Sequence, residues 1–366
     1  MRVIARSRAR RPRLTRAADL TVVEIPSFRY SRAGTLLYLA AAIVLGLTWG
    51  LRSSVLVAIN LYAPLTAAAI CARVLRRPYL ALSTTSGEAS EAAYLLNDDL
   101  NRRGRWSPRA YGIDRRLRRS FLRRATFVVA QSDAAASELA GLVLGDRLAV
   151  VPTPVCLLSD PPPLGGAPTV LFAGRFSREK GVLDLLQAWP LVVAELPNAT
   201  LTLAGASIQG ESIEDEVRRL VTRDVTLRAT VSLAGWVPNV MPLLARSDVF
   251  VLPSLPFQEG MSNVLLEACA SARVIVASDI PANRAVLGDD YPLLFPAGDI
   301  DRLGESLLRA LRDDPIRARA RAAVLDRAAA FSVDRVITRL EKVLETAIAG
   351  TLAASKWKGA EQPTSG

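Results

Sequence analysis

The chain has 366 residues, half of them apolar, and a formal net charge of +11 at pH 7 with no histidine anywhere. That length exceeds what one hydrophobic core normally supports, so two domains are expected. Without histidine there is no Ser-His-Asp hydrolase, no His-ligated metal site and no histidine general base, which leaves the chemistry to carboxylates, cations and backbone.

The chain opens on Met1-Arg-Val-Ile-Ala-Arg-Ser7, a strand-like run inside sixteen residues that hold seven arginines. Further apolar, β-type runs at 21–25, 54–60, 79–85, 127–132 and 148–152 suggest an α/β layer over residues 1–159. Between Arg32 and Arg52 lie nineteen uncharged residues. This is long enough for a transmembrane helix. A single crossing would put the strands at 21–25 and 54–60 on opposite sides of the bilayer, where they could not share a sheet. Residues 33–51 are therefore read as a buried or membrane-grazing helix. The apolar run begins too far in for a secretory signal. Cys71, Cys156 and Cys269 are scattered, offer no disulfide framework or zinc spacing, and fit a reducing cytoplasm.

The charge is lopsided. Residues 1–160 carry 24 arginines against 11 acidic groups, whereas residues 161–366 carry 22 basic and 24 acidic groups. Much of the excess sits in 101–124, where Ile113, Leu117 and Phe121 align on one helical face among arginines. That pattern fits a helix lying on an anionic membrane, and equally an amphipathic helix packing on its own sheet. Nucleic acid ranks lowest as a partner, since no helix-turn-helix or RNP-like signature accompanies the charge.

Residues 160–168, Asp-Pro-Pro-Pro-Leu-Gly-Gly-Ala-Pro, form a stiff linker. Beyond it, strand-like runs near 169–173, 200–204, 230–234, 248–252, 274–278 and 291–295 alternate with helical patterns, so residues 169–330 predict a parallel sheet covered on both faces. A helix is expected over 331–349 and a disordered polar tail over 350–366.

Two stretches of this second half carry chemistry. Gly174-Arg-Phe-Ser-Arg-Glu-Lys-Gly181 is a turn between a buried strand and a helix from Val182 to Leu196. Arg175 leaves the strand end and Lys180 enters the helix, a pairing suited to a diphosphate because Arg forks onto phosphate oxygens and Lys follows as a mobile point charge. The same residues would also serve as a basic surface loop balanced by Glu179. The second stretch, Pro253 to Ala268, passes from a strand at 248–252 to a helix over Asn263 to Ala272 that Ser262 can cap. Glu259 lies ahead of the helix N-terminus, whose free amides attract anionic or hydroxyl oxygens. Asn263, Glu267 and Ser271 recur every four residues as one polar stripe, which would suit a site or a solvated face.

Together these motifs resemble glycosyltransferase family 4, the retaining nucleotide-sugar-dependent transferases with the GT-B fold. The matching residues are Gly174-Arg175 with Lys180-Gly181, the strand-end glycines Gly205 and Gly235, and Glu259-Gly260 through Glu267-Ala268. The likeness is ordered from about Pro168 to Leu311 and looser from about Leu20 to Val155. It implies two Rossmann-like doubly wound domains facing a cleft. It also implies that Arg175, Lys180 and Glu259 act in catalysis, with Arg175 and Lys180 neutralising the diphosphate and Glu259 holding donor sugar hydroxyls. Gly174, Gly205, Gly235, Gly260, Met261, Ser262 and Asn263 would line the donor site, and Glu267 would bind the ribose hydroxyls. A nucleotide-diphosphate sugar is then the co-substrate, with no cofactor and no bound metal. The acceptor would be a glycan or lipid-linked molecule, used in the cytoplasm or at the inner face of the membrane.

The sequence also departs from that family. Met1–Ser7 resembles its second strand, so the first strand and its glycine-rich loop are expected to be missing. Thr84-Thr-Ser-Gly-Glu88 stands where many relatives carry a histidine, which makes Ser86, Gly87 and Glu88 the acceptor-side candidates. Val151-Pro-Thr-Pro-Val155 replaces a proline-asparagine-glycine turn. These departures keep open a non-catalytic, glycosyltransferase-like binding or scaffolding protein. A sugar-nucleotide epimerase on the same fold fits less well.

Overall fold

The computed structural model describes residues 1–7, 13–17, 20–26, 32–85, 90–96, 108–161, 163–164, 168–207, 213–256 and 260–360. The chain divides into two compact units, the first made of Met1–Thr84, Glu91–Val151 and Thr338–Gly366 and the second of Thr85–Ser90 and Pro152–Ile337.

In the first unit β1 (Arg2–Ser7), β2 (Arg13–Ala17) and β3 (Leu20–Pro26) make a three-stranded sheet. Its order is β1-β3-β2, with β1 parallel and β2 antiparallel to β3. Helix α1 (Arg32–Gly50) seats Tyr38 and Ala42 in a small core with Ile25, against which Ile4 and Val23 pack. The chain continues through β4 (Leu56–Ile59), α2 (Ala63–Leu75), β5 (Tyr79–Ser83), α3 (Glu91–Leu96), α4 (Pro108–Arg124), β6 (Phe127–Ala130), α5 (Asp133–Leu139) and β7 (Leu148–Val150). The four strands of this stretch form a separate parallel sheet in the order β4-β5-β6-β7. Parallel strands buried on both faces read as unbroken apolar runs, as Val128, Val129 and Ala130 do here. Helix α2 starts with a proline in its first turn and ends where Arg76 turns left-handed at φ 52°.

The second unit runs β8 (Thr169–Ala173), α6 (Val182–Glu195), β9 (Thr200–Ala204), α7 (Ile213–Arg223), α8 (Val225–Thr230), β10 (Val231–Gly235), α9 (Met241–Ala245), β11 (Val249–Leu252), α10 (Asn263–Ala270), β12 (Val274–Ser278), α11 (Pro281–Leu287), β13 (Leu294–Phe295), α12 (Ile300–Arg312) and α13 (Asp314–Ala329). Its six strands are all parallel in the order β10-β9-β8-β11-β12-β13. The strands from β8 to β10 step outward in one direction, and β11 then returns to the other side of β8. Between β8 and β11 the strand order reverses, and open α/β sheets bind ligands outside the carboxyl ends of the strands at such a point. Helices α6 and α12 lie over the sheet; Trp189 of α6 is fully buried and its indole N–H donates to Thr230 Oγ1 at 2.9 Å. Aspartates cap three helices, Asp224 accepting from Leu227 N at 2.9 Å, and Asp299 from Arg302 N and Asp313 from Ile316 N, both at 3.0 Å.

The strands at 21–25 and 54–60, expected to share a sheet, lie in separate ones as β3 and β4, and three elements differ from their expected bounds. The strand at 291–295 shortens to Leu294–Phe295, because Pro292 has no N–H to pair and the Tyr291 hydroxyl bonds Ile275 N at 3.0 Å and Ile275 O at 2.9 Å in its place. Helix α10 stops at Ala270, since Ala272 turns left-handed at φ 51°. The final helix α14 (Val333–Ala360) continues past Ala349 into the tail, where Leu352, Ala353 and Ala354 are strong helix formers.

Candidate functional site

The site is built at the carboxyl ends of β8, β9 and β10. Gly174 N donates to Ala204 O at 3.0 Å, Phe176 N to Ala206 O at 3.1 Å and Gly205 N to Gly235 O at 2.7 Å, so the three strand ends stay joined beyond their ladder. Only glycine fits at 205, where a β-carbon would sit 1.8 Å from the Gly174 carbonyl oxygen. This keeps the floor of the site free of side chains.

The loop after β8 lies on that floor. Phe176 and Ser177 are buried, while Arg175 is exposed and its guanidinium has no ion-pair partner among the described residues. A single 3-10 turn, Arg178–Lys180, brings Lys180 to the start of α6. Arg178 of this loop pairs with Glu216 of α7 at 3.1 Å. Gly181 then adopts φ 65°, with its α-carbon pressed onto the loop after β11. Leu255 N donates to Glu179 O at 2.8 Å across the same junction. The two stretches singled out in the sequence are thus clasped together at the switch point.

Helix α10 starts just beyond the clasp. Ser262 holds the N-cap position but makes no capping hydrogen bond with its side chain, contrary to expectation. The amides from Gly260 to Val264 consequently have no acceptor among the described residues and remain available to a ligand. Asn263 is exposed, and Glu267 is half-buried one turn along. Burial pushes the Glu267 carboxyl above its ordinary range. No described group bonds to that carboxylate. The expected polar stripe ends there, because Ser271 is buried and its hydroxyl donates back to Glu267 O at 2.8 Å. The Met261 sulfur accepts from Thr153 N at 3.4 Å. Glu259, Ser86, Gly87 and Glu88 lie outside the described residues.

The structure adds residues that the sequence pattern did not single out. Ser278 Oγ donates to Ser254 O at 2.5 Å and Asn283 Nδ2 to Ser278 O at 2.8 Å, a fully buried chain that braces the Pro253 loop from below. Trp236 stands 73% exposed beside Gly235 at the end of β10. In the first unit Glu91 is 1% exposed at the end of β5, with its two oxygens accepting from Thr84 N and Thr84 Oγ1, both at 3.0 Å. Burial raises its pKa, and hydrogen bonds from Thr84, Ser83 and Leu61 oppose the rise. Among the described residues no group of acidic or cysteine side chains is placed to hold a metal ion.

An all-parallel sheet whose switch-point loops carry two cations, a helix N-terminus and a half-buried carboxylate defines a doubly wound domain suited to an anionic, hydroxyl-rich ligand. Residues 167–313 match the family described as glycosyl transferases group 1. The chain is 33% identical over 213 residues to a phosphatidyl-myo-inositol mannosyltransferase of Mycolicibacterium smegmatis, covering 56% of this chain and 53% of that protein. It is 33% identical over 163 residues to a glycogen synthase of Mycobacterium tuberculosis, covering 44% and 37% of the two chains. The chain thus spans about half the length, or less, of the curated relatives it matches. Among solved structures, sucrose-phosphate synthase from Thermosynechococcus elongatus superposes with a TM-score of 0.73 at 19% identity, over 95% of this chain and 89% of that one. Anabaena HepE in complex with UDP and glucose gives 0.66 at 19% identity, over 89% and 85%. The fold is that of the GT-B glycosyltransferases.

Proposed function

We propose that the protein transfers a sugar from a nucleotide-diphosphate sugar to a glycan or lipid-linked acceptor, with retention of configuration and without a bound metal. The setting would be glycolipid or cell-surface polysaccharide synthesis, at the inner face of the membrane. The observation that carries this reading is the clasp between the Arg175–Gly181 loop and the Pro253 loop. It brings two cations and the open amides of α10 to one switch point, with Glu267, whose carboxylate no described group bonds, one turn behind.

In this reading Arg175 and Lys180 take the diphosphate oxygens and the α10 amides complete the cradle. Glu267 accepts hydrogen bonds from the ribose hydroxyls, and Glu259 holds the donor sugar. As the bond from the anomeric carbon to the phosphate oxygen breaks, charge builds on the leaving diphosphate, where the two cations act most strongly. The acceptor hydroxyl attacks from the same face and gives its proton to the departing phosphate, so no histidine is required. Support comes from the mannosyltransferase relatives and from the UDP bound by HepE.

The test is calorimetric titration of UDP, GDP and ADP into the purified chain, beside Lys180→Ala and Glu267→Ala. Saturable binding of one nucleotide, weakened in both variants, is expected and names the base for a donor-sugar screen. A folded protein that binds none of the three would remove the reading.

A further inference from the structure

The contact at Gly181 holds the Lys180 end of the Arg175–Gly181 loop, and a second set of bonds holds the Arg175 end. Both backbone groups of Phe176 are tied to the segment that follows β9. Its N–H donates to Ala206 O at 3.1 Å, and its carbonyl accepts from Ser207 Oγ at 3.0 Å. Neither bond belongs to the ladder between β8 and β9, which ends where Ala173 faces Ala204. The Phe176 ring is buried 6.2 Å from that of Phe172, and a β-carbon at Gly205 would come within 3.0 Å of it. Arg175 thus projects into solvent from a backbone that is pinned at the next residue.

Ser207 is in turn held by helix α7. Its hydroxyl accepts from Glu214 N at 3.0 Å, one of the first-turn amides that have no partner inside the helix. An amide only donates and a carbonyl only accepts, so the single hydroxyl proton must point at Phe176 O. In return Ser207 N donates to Glu214 Oε2 at 3.2 Å, while Arg218 Nη2 donates to Glu214 Oε1 at 2.9 Å. Arg218 first, and Ser207 N after it, hold the Glu214 carboxyl below its ordinary range, so it is ionised at neutral pH. The same helix turn reaches the loop again through the Arg178–Glu216 pair, but there Arg178 is 68% exposed. Exposed ion pairs contribute little, so the hold on the loop rests on Ser207.

We infer that Ser207, fixed by Glu214, is a positioning residue: it holds the Phe176 peptide so that Arg175 meets the donor diphosphate from a backbone already in place. The two cations are then set by separate devices, Lys180 by the loop after β11 and Arg175 by the first turn of α7. Ordering a loose peptide opposes binding, and a peptide ordered beforehand removes that cost from the binding step. The purpose of this brace rests on the donor-site reading; the brace itself is measurable without any ligand.

The experiment compares the full chain with Ser207→Ala, Ser207→Thr, Arg175→Ala and the variant that combines Arg175→Ala with Ser207→Ala. Amide hydrogen exchange, read by mass spectrometry over residues 175–178, should quicken about three- to tenfold in Ser207→Ala, the loss of one neutral hydrogen bond. Ser207→Thr keeps the hydroxyl at a half-buried position and should restore the wild-type rate. Inorganic diphosphate, titrated calorimetrically, should bind Ser207→Ala about three- to tenfold more weakly than wild type. In the Arg175→Ala background the same substitution should leave diphosphate affinity nearly unchanged, because Ser207 acts through that arginine. Equal losses in the two backgrounds would make Ser207 a general support of the fold and overturn the inference. A Ser207→Thr variant that behaves like Ser207→Ala would overturn it too. UDP, GDP and ADP titrations of the same preparations read the donor site separately. A wild type that binds neither diphosphate nor any of the three nucleotides removes the donor reading and the role built on it. Binding by the wild type, with unchanged exchange in Ser207→Ala, removes the positioning role alone.

Discussion

Gly181 and Pro253 touch across the switch point so closely that a β-carbon on the glycine would lie 2.0 Å from the proline carbonyl oxygen. At φ 65° the position also lies in the left-handed region, which L residues enter at a cost of about 1–2 kcal/mol. Gly181→Ala should therefore lower the stability of the second unit by at least that much and spread the two loops. Chemical denaturation and nucleotide titration of the same variant should show both losses; a stable variant with intact binding would mean that the clasp does not shape the site.

Arg175 is the exposed cation at the end of β8 and has no ion-pair partner among the described residues. A preorganised group aimed at developing charge contributes about 3–4 kcal/mol to the transition state. Arg175→Ala should lower transfer turnover roughly a hundredfold or more, with a smaller effect on donor affinity. Steady-state rates at saturating donor provide the measurement.

Glu267 should show opposing effects on stability and binding. Burial raises its folded-state pKa, so this half-buried position favours the neutral form. The associated stability is fully present below the ordinary glutamate value of about 4.3 and is lost as pH rises through the higher folded value. At pH 7 Glu267→Gln should melt higher than wild type, and its thermal midpoint should vary less across mildly acidic pH. Nucleotide affinity should fall about ten- to a hundredfold, as expected for lost hydrogen bonds to a charged group. Equal midpoints at pH 7 would refute the stability half.

Trp236 is large, flat and exposed at the end of β10, two strands from β8. With strands about 4.8 Å apart, the span from Arg175 to this ring is roughly 10 Å, the reach of a nucleoside beyond its phosphates. Stacking of a base on an aromatic ring is worth about 1–3 kcal/mol. Trp236→Ala should thus weaken UDP, GDP or ADP binding by about five- to a hundredfold and leave inorganic diphosphate binding unchanged.

Tyr291 satisfies both backbone groups of Ile275 through one hydroxyl, and burial pushes that phenol far above its ordinary pKa. Tyr291→Phe would strand a buried N–H and a buried carbonyl, at a cost of about 1–3 kcal/mol. The urea midpoint should drop while the slope holds, as for a change confined to the folded state.

How much of this was readable in the sequence varied from residue to residue. The strands at 169–173 and 274–278 were legible because strands covered on both faces leave apolar runs. The last strand was overestimated because Tyr291 looks like a strand residue and in fact bonds sideways. Helical spacing placed Glu267 beside the α10 N-terminus, but it could not tell that Ser271 turns inward or that the Ser262 hydroxyl leaves the amides open. The clasp of Gly181 on Pro253 joins loops far apart in the chain, and no local pattern encodes it. On α4, Arg116 and Arg118 are equivalent by composition; only the packed helix shows that one faces solvent and the other Asp114.

The position of β8, between its sequence neighbour β9 and the much later β11, also affects how the protein is made. One edge of β8 finds its partner almost at once during synthesis. The other must wait about eighty residues, which at typical translation speeds is roughly 4 to 16 s. Throughout that interval an apolar strand with an unpaired edge is open to neighbouring chains. Yield in a heterologous host should therefore respond to chaperone supply and growth temperature more than to codon choice upstream of β8.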